Sequence, residues 1–485
     1  MSNGSGVNEA LVREVVEQVL NRLGGSGTES AKCGCRCGSA GKRHYGVFQD
    51  AKEACEAAQV AYEQLREKGV AGRRTVIDIV KRLTSENASE WGRIELEETK
   101  IGRLDHKIDK LVGLKNLLGV EFLKPNAMSG DHGITMEEFT PFGVIGAITP
   151  STHSIPTLAC NVIGMVAAGN AIVFNPHPGA CKCAAMAAKV INEAIYRELG
   201  IENLVSIVEK PTLDSFQAIA TSPLVKLLCV TGGPGVVKAA MKSGKRAVCA
   251  GPGNPPVLVD DTADLDKAAR GIILGGAYDN NLLCIGEKEV FVVESVFNRF
   301  MDAMARAGAV KLTDAQVERL ANEAFVTPGQ GGGCAHKVVN RDLVGRDASV
   351  LAKVAGVTVP QGTEMLYAET DSSHIFVQEE QMMPFIPIVK VRDVEEGIAK
   401  SLEAEHNYKH TAIIHSYDVN HMTEMARALD TTIFVKNGPS VAGLGSGGEG
   451  YASFSIATPT GEGITTPRTF SRIRRCVMVD NLRIY

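Results

Sequence analysis

The chain has no excess of positive charge and no long apolar run. Its 51 Lys and Arg face 56 Asp and Glu, which gives a formal net charge of −5. This balance excludes a basic surface for nucleic acid or anionic membranes. The longest stretch without Asp, Glu, Lys or Arg extends from Phe139 to Cys181, and five prolines interrupt it. We therefore expect no membrane span.

Aromatic residues and secretion signals are also scarce. The chain has one Trp but 50 Gly, a composition that favours tight turns and helix–sheet packing. The N-terminus lacks the basic and apolar regions of a signal peptide. The 12 cysteines are spread along a chain too long to need disulfides, so we expect a reduced, cytoplasmic protein.

Residues 1–45 read as an appendage to the body of the protein. Apolar residues at i, i+4 and i+8 spacing predict an amphipathic helix over residues 8–23. A Gly/Ser-rich stretch follows and predicts a flexible linker. A short helix on a tether favours docking into a groove of a partner protein, although packing against its own body or a sister subunit fits the pattern too.

Three cysteines lie in this linker with a CxCxC spacing: Cys33, Cys35 and Cys37. Thiolates at this density suit a soft metal or a redox disulfide. The spacing matches neither a CxxC zinc knuckle nor an iron–sulfur motif, so we predict no metal centre.

The body alternates strands with helices. Asp50 caps a helix that we predict to about Lys68, with more helix to about Gly119. Buried strands are predicted at 142–149, 171–175, 225–231, 257–259 and 289–293, with a helix over about 179–199. Repeated strand–turn–helix units predict an α/β fold with a parallel, doubly wound sheet. Such sheets bind ligands at the carboxyl ends of their strands.

Two motifs of the body carry candidate chemistry. The turn 232–235 could approach a dinucleotide or serve as a purely structural turn, because it is not GxGxxG. Cys284 lies at a loop-to-strand junction, where a side chain can face a cleft as a nucleophile, although a buried structural cysteine is the alternative. Four other cysteines lie in apolar runs and are expected to be buried: Cys160, Cys229, Cys249 and Cys476.

Two histidines and a basic cluster complete the candidates. His410 and His415 are five residues apart on a predicted strand, so they point to opposite faces and share no metal, though one could line the active-site wall. Three arginines near the C-terminus fit surface or inter-subunit ion pairs better than a phosphate contact: Arg472, Arg474 and Arg475.

From about residue 46 onward, the sequence resembles the CoA-acylating branch of the aldehyde dehydrogenase superfamily. Within it, the likeness is to the propionaldehyde and acetaldehyde dehydrogenases of bacterial microcompartments for propanediol or ethanolamine utilisation. The matching segments occur in family order at 148–152, 167–178, 230–237, 250–260, 279–284, 379–389, 433–440, 442–450 and 460–470.

The resemblance implies a Rossmann-type domain for NAD and coenzyme A over 46–122 and 141–250. It implies a catalytic α/β domain over 251–440 and an oligomerisation β-arm over 123–140 and 465–485. The helix of residues 8–23 resembles an encapsulation peptide. The implied partners are a shell protein and a sister subunit, as a dimer or tetramer, inside a cytoplasmic microcompartment.

The resemblance also implies site roles. Cys284 would attack a short aldehyde, such as propanal or acetaldehyde, and carry the acyl group as a thioester. His153 stands where the superfamily has an oxyanion-stabilising Asn. The implied cofactor-binding residues are Thr149, Pro150, Ser151, Asn175, Pro176, Thr231, Gly232, Gly233, Gly251 and Glu380. Asn175 replaces a Lys of many relatives, which favours NAD over NADP.

The acyl acceptor separates two subclasses of the superfamily. Hydrolysing members carry a water-activating Glu where this chain has Ala250, and Asn254 likewise replaces their Lys. A thiol needs less help from a base than water, so Ala250 favours transfer to CoA. The alternatives are a hydrolysing aldehyde dehydrogenase that releases a carboxylic acid, or a shell adaptor without enzymatic activity.

Overall fold

The structure, a computed structural model of the chain, describes residues 44–327 and 337–480. The described residues form one compact unit. The predicted helix over 8–23, the cysteines Cys33, Cys35 and Cys37, and the last five residues of the predicted arm lie outside the described residues. Within the described ranges, no helix combines the length and apolar character needed to cross a membrane.

A six-stranded parallel sheet forms the first half of the described chain. Its order is β1-β6-β5-β4-β7-β8. The strands are β1 (Val47–Phe48), β4 (Val144–Thr149), β5 (Ala171–Pro176), β6 (Val205–Val208), β7 (Val225–Thr231) and β8 (Arg246–Ala250). β4 and β5 are buried along their whole length, because helices cover both faces of the sheet and continuous apolar sequence suits such strands.

The helices of this half follow the predicted alternation. In chain order they are Ala51–Glu86, Ala88–Thr99, Leu104–Gly113, Ser154–Ala167, Cys181–Leu199, Leu213–Thr221 and Pro234–Met241, with 3₁₀ turns at Leu114–Asn116, Val120–Phe122 and Pro178–Ala180. The Asp50 carboxylate caps the first helix by accepting from the Lys52 and Glu53 amides. The predicted end near Lys68 is a kink at Gly69 (φ 62°), beyond which the helix continues.

A seven-stranded parallel sheet forms the second half, in the order β11-β14-β15-β10-β9-β16-β17. Its strands are β9 (Pro256–Val259), β10 (Glu289–Val293), β11 (Val310–Lys311), β14 (Leu366–Thr370), β15 (Phe385–Val391), β16 (Thr411–His415) and β17 (Ile433–Lys436). The accompanying helices are Leu265–Ala277, Phe297–Arg306, Asp314–Ala324, Ala348–Ala355, Ile375–Gln378, Val394–Glu405 and Val419–Leu429, with 3₁₀ turns at Tyr278–Asn281 and Ser440–Leu444.

Three small antiparallel sheets complete the fold. β2 (Asn126–Gly130), β3 (Gly133–Pro141) and β20 (Ser471–Val479) form one of them, in that order. The others pair β12 (Phe325–Val326) with β13 (Val338–Val339), and β18 (Ile456–Ala457) with β19 (Gly463–Ile464). β2, β3 and β20 fall in the predicted arm, and the two large sheets fall within 46–250 and 251–440. We propose these ranges as the domain boundaries.

One sequence prediction about burial is wrong. Cys160, Cys229 and Cys249 are buried as expected, but Cys476 is exposed. Cys476 lies on β20 and begins its apolar part, 476–479, which suggested a buried strand. Among the described residues β20 pairs with β3 alone, and nothing in that part of the chain covers its side chains.

Candidate active site

Four neighbouring strands of the first sheet end together. Their carboxyl ends are aligned by register, since Thr149 pairs with Pro176 and Thr231 pairs with Ala250. The order β5-β4-β7-β8 therefore brings segments far apart in sequence to one edge of the sheet. In parallel sheets, this edge is where a nucleotide binds.

Nine of the ten predicted cofactor-binding residues lie at or just beyond these four strand ends: Thr149, Pro150, Ser151, Asn175, Pro176, Thr231, Gly232, Gly233 and Gly251. Gly251 packs closely on Pro459, since a Cβ there would lie 2.9 Å from the proline Cγ. Glu380, the tenth, precedes a strand of the other sheet.

The edge has features that fit a dinucleotide. Thr149 is buried, and its Oγ1 has no hydrogen-bond partner within the described chain, so it is free to bind a ligand. Gly233 caps the helix Pro234–Met241, and a Cβ on Gly233 would stand in open space. A helix start with open backbone can approach a phosphate.

Asn175 is held by the start of another helix. Its Oδ1 accepts from Ser215 Oγ at 2.6 Å, and its Nδ2 donates to the Thr212 carbonyl at 3.4 Å. Thr212 and Ser215 form the capping box of the helix Leu213–Thr221. Asn175 thus presents a neutral, anchored amide at the end of β5. A cationic side chain at this position would attract an extra phosphate, and Asn175 carries no such charge.

The candidate nucleophile belongs to the second sheet. Cys284 precedes β10, Glu380 precedes β15, and His410 directly precedes β16. Because these strands are neighbours in the order β15-β10-β9-β16, their amino ends bring the three residues to one side of the sheet. The candidate nucleophile and its neighbours thus lie at amino ends of strands, whereas the general rule for parallel sheets points to carboxyl ends.

Gly253 packs at the centre of this group. A Cβ at Gly253 would lie 2.7 Å from the Cys284 carbonyl oxygen and 2.9 Å from the His410 ring. The Gly253 amide also donates to the Glu380 carboxylate. Only glycine fits here, because any side chain would displace the backbone of Cys284 or the His410 ring.

The surroundings of Cys284 keep its thiol protonated. Burial, and then the neighbouring Glu380 carboxylate, raise the pKa of Cys284 to about 12. Lys288 and backbone amides act in the opposite direction. Burial also raises the pKa of Glu380 and lowers that of His410 to about 4. An incoming positive charge would therefore increase the thiolate fraction of Cys284.

The loop before Cys284 adopts a left-handed conformation at three successive residues. Asp279, Asn280 and Asn281 have φ of 50°, 56° and 66°. Asp and Asn tolerate this region better than other non-glycine residues, and such backbone persists only when neighbours fix it. Asn280 Nδ2 donates to the Asp347 carboxylate at 2.8 Å, and Asn281 Nδ2 donates to the Glu287 carbonyl at 2.8 Å.

Asp279 anchors this loop to the helix Leu104–Gly113. Its carboxylate forms a fully buried ion pair with Lys110 and accepts from the Arg103 amide at 2.7 Å. The Asp279 amide donates to His106 Nδ1 at 2.8 Å. The position of the nucleophile thus depends on a helix whose Lys110 lies 169 residues before Asp279.

His153 begins the helix Ser154–Ala167 and is buried. Its ring lies 5.7 Å from that of Phe454, and its Nδ1 has no partner in the described part of the chain. Burial lowers the pKa of His153 to about 3, and Lys110 acts in the same direction. The imidazole is therefore neutral and can donate one hydrogen bond.

The other sequence candidates lie elsewhere. His415 contacts Gly271 on the far side of β16 from His410. Arg472 and Arg475 lie on the exposed arm, where Arg475 pairs with Glu137. Asn254 is buried and donates to the Val377 and Ala404 carbonyls, each at 2.9 Å. The described ranges contain no group of three or more side chains suited to hold a metal ion.

Sequence reasoning missed two parts of this site: the Asp279–Lys110 pair and the buried Lys288. One signal for Lys288 was available, because the charged triplet 287–289 opens an apolar strand. A strand buried on both faces carries charges only when partners compensate for them. No comparable signal links Lys110 with Asp279.

The sequence also matches a known protein family. The profile of the aldehyde dehydrogenase family matches residues 40–454. The chain belongs to the aldehyde dehydrogenase family. An acetylating acetaldehyde dehydrogenase of Salmonella typhimurium is 42% identical to this aldehyde dehydrogenase over 480 residues, covering 99% of this chain and all of the relative.

Solved structures agree with this assignment. A Rhodopseudomonas palustris propionaldehyde dehydrogenase, with bound CoA and an acylated cysteine, is 41% identical and superposes with a TM-score of 0.87. A propionaldehyde dehydrogenase from the Clostridium phytofermentans fucose-utilisation microcompartment is 43% identical, with a TM-score of 0.87. Each match covers 91% of this aldehyde dehydrogenase and all of the other chain. The predicted aldehyde dehydrogenase fold is confirmed.

Proposed function

We infer that this aldehyde dehydrogenase is CoA-acylating. It oxidises a short aliphatic aldehyde, propanal or acetaldehyde, and transfers the acyl group to CoA through a thioester on Cys284. The observation that carries this inference is the nucleophile's setting, with Cys284 beside Glu380 and no carboxylate at Ala250, in a chain similar to acylating relatives.

Cys284 begins the reaction as the nucleophile. Its thiolate sulfur attacks the aldehyde carbon and forms a thiohemiacetal. Because burial raises the pKa of the thiol, the resting cysteine is mostly neutral, which spares it from side reactions. NAD, when bound, would bring the positive charge of its nicotinamide ring near Cys284 and would thus favour the thiolate form.

His153 and the Cys284 backbone amide are the candidate donors to the oxyanion of the thiohemiacetal. The unpartnered, neutral imidazole of His153 can donate without first losing a bond to another group. Donors fixed in advance at the point where charge develops lower the barrier most. Lys110 and Asp279 lie near both His153 and the loop of Cys284, and thus support this arrangement.

NAD, when bound, accepts the hydride that leaves the thiohemiacetal. In this chain the residues at the ends of β4, β5 and β7 would hold the dinucleotide, with the unpartnered Thr149 hydroxyl facing it. Glu380 would hold the nicotinamide ribose beside Cys284. Asn175 supplies no cation for a 2′-phosphate, which supports a preference for NAD over NADP.

The acyl group is then transferred from Cys284 to CoA. Ala250 ends β8, at the position where hydrolysing relatives have the base that activates water. The methyl side chain of Ala250 cannot act as a base. A thiol has a pKa of about 8.5 and ionises far more readily than water. The CoA thiolate therefore attacks the thioester carbon, and Cys284 leaves as a thiolate.

The setting of the enzyme is part of this proposal. Residues 8–23 dock on a shell protein of a bacterial microcompartment, so the enzyme works inside that compartment in the cytoplasm. The arm sheet of β2, β3 and β20 pairs with a second copy of the chain. Exposed apolar side chains on one face of this sheet support that pairing: Met128, Ile473, Val477 and Val479.

NADH formation from propanal or acetaldehyde tests the reaction. We expect turnover with NAD and CoA together, and at most a single turnover when CoA is omitted. In that case mass spectrometry finds one acyl group on Cys284. Cys284→Ala forms no NADH, whereas Cys476→Ala, at an exposed cysteine of the arm, retains turnover.

Two results would contradict the proposal. Sustained NADH formation without CoA means that water reaches the acyl-enzyme and the enzyme is hydrolytic. No turnover with either aldehyde, in a folded preparation that binds NAD, favours an adaptor without enzymatic activity.

A further inference from the structure

Lys288 is a lysine with no solvent exposure, located four residues after Cys284. Its Nζ donates to the Asn281 carbonyl at 2.8 Å, to the Leu283 carbonyl at 3.3 Å, and to the Asn281 side-chain oxygen. An ammonium group has three donors, so each has an acceptor. This arrangement satisfies the charged form of Lys288 without help from water.

The acceptors of Lys288 all belong to the loop that carries Cys284. Asn281 is the last of the three left-handed residues, and Leu283 is the residue directly before the nucleophile. Left-handed backbone at non-glycine residues is strained and persists only where neighbouring groups fix it. Lys288 therefore holds the backbone on the amino-terminal side of Cys284.

Burial lowers the pKa of Lys288, and four acidic groups act in the opposite direction and favour its charged form: Glu380, Cys284, Glu289 and Glu287. The Glu289 carboxyl is buried without hydrogen-bond partners in the described chain, and burial raises its pKa well above the usual value, which favours its neutral form. The Glu287 carboxylate is bound by the Ser440 amide and hydroxyl at 2.8 and 2.7 Å.

His410 adds no further positive charge beside Lys288, because burial, and then Lys288 itself, lower the pKa of His410 to about 4 and leave the ring neutral. Glu380 and the thiolate form of Cys284 are therefore the anions best placed to compensate for Lys288. A buried cation is stable only near such a negative charge. The same attraction lowers the pKa of Cys284 against the opposing effect of burial.

We propose that Lys288 is a positioning residue for Cys284, whose ammonium group holds the carbonyls of the nucleophile loop and supplies the positive charge that favours the Cys284 thiolate. The proposal rests on the proposed function only in taking Cys284 as the nucleophile. It extends that function by naming the group that favours ionisation of the Cys284 thiol in a buried site.

Alkylation of Cys284 by iodoacetamide, followed by peptide mass spectrometry, tests the proposal in the full chain saturated with NAD. The rate is measured across pH, since its midpoint reports the thiol pKa and its plateau reports access to the sulfur. Lys288→Gln keeps a donor for the carbonyls and removes the charge. We expect the midpoint of Lys288→Gln to rise by about one pH unit or more, while its plateau stays similar. A rise of about one unit corresponds to an about tenfold loss of thiolate at a given pH below the midpoint.

Lys288→Met separates the two roles of the lysine, because it removes both the charge and the donors. We expect the same rise in midpoint together with a lower plateau, since the loop carbonyls lose their partner. The matched control is Glu95→Gln/Lys107→Gln, which neutralises another buried ion pair of the chain. Its midpoint stays at the wild-type value.

An unchanged midpoint in Lys288→Gln overturns the proposal, even if the plateau falls, because a purely structural lysine would change access alone. The assay needs no aldehyde or CoA. A failure of CoA-dependent turnover would therefore be distinguished from a failure of this proposal.

Discussion

At the scale of single residues, His153 marks the point where this chain departs from the superfamily pattern. The resemblance implies an Asn amide at this position, and the structure has a buried, neutral imidazole whose Nδ1 has no partner among the described residues. Both groups can donate a hydrogen bond to an oxyanion. The exchange preserves a donor at that position while changing its shape.

His153→Ala is expected to lower turnover by about a hundredfold, the usual effect of losing one oxyanion donor, and to weaken NAD binding much less. His153→Asn restores an amide donor and retains more turnover than His153→Ala. Steady-state kinetics and NAD fluorescence titration measure the two effects. Equal turnover in His153→Ala and the wild type would remove His153 from the mechanism.

The lowered pKa of His153 also predicts how the reaction rate depends on pH. Since burial lowers it to about 3, the imidazole is neutral in the folded protein throughout the neutral range. Any inflection of the rate near neutral pH therefore belongs to another group, and His153→Asn retains that inflection.

At the scale of elements, the loop 279–281 is joined to the helix Leu104–Gly113 by the buried Asp279–Lys110 pair. Removing one partner of a buried pair leaves an uncompensated charge, which costs more than the pair itself contributes. This element contact therefore couples the stability of the first half of the chain to the position of Cys284.

Lys110→Met is expected to lower the free energy of unfolding by about 3–5 kcal/mol at neutral pH. The pKa of Asp279 in the folded wild type lies below its unfolded value of about 3.9. Its stabilisation is therefore complete above that pH and is lost as pH falls through the folded pKa. In Lys110→Met the unpaired carboxyl takes up a proton more readily, so the difference between the two proteins narrows on acidification.

Urea unfolding at several pH values measures this effect. The exposed Arg82–Glu86 pair gives the control, because Arg82→Met is expected to cost less than about 1 kcal/mol at every pH. A loss for Lys110→Met as small as that of the control would mean that the buried pair does not stabilise the fold.

The arm is the second element with a testable consequence. Ile473, Val477 and Val479 alternate along β20 and share one exposed face of the arm sheet. Apolar side chains on an unpaired face favour association with a second copy. Ile473→Asp is expected to reduce the subunit number in light scattering, whereas Arg474→Ser on the opposite face leaves it unchanged. An oligomer that persists in Ile473→Asp would exclude this face as the contact.

At the scale of the whole molecule, the compact unit that begins at His44 contains every residue assigned to chemistry. Deleting residues 1–43 is therefore expected to leave CoA-dependent turnover unchanged and to abolish copurification with microcompartment shells. Turnover and shell fractionation measure the two outcomes in the same preparations. Loss of turnover in a folded truncated chain would place residues 1–43 in the catalytic unit.

Much of this organisation follows from the sequence by itself. Short, mostly apolar runs predicted the strands β4, β7 and β10, because local backbone preference and burial on both faces act over short stretches. The matching segments determined the family and pointed to Cys284. These properties depend on residue types in order along the chain.

Only the tertiary structure decided which distant residues meet. Neighbours in a parallel sheet are set by crossover connections, so the sequence did not reveal that Gly253, Cys284, Glu380 and His410 converge. Burial of charge is likewise a collective property, because it depends on every layer that excludes water. For that reason the roles of Lys288 and of the Asp279–Lys110 pair became visible only in the folded chain.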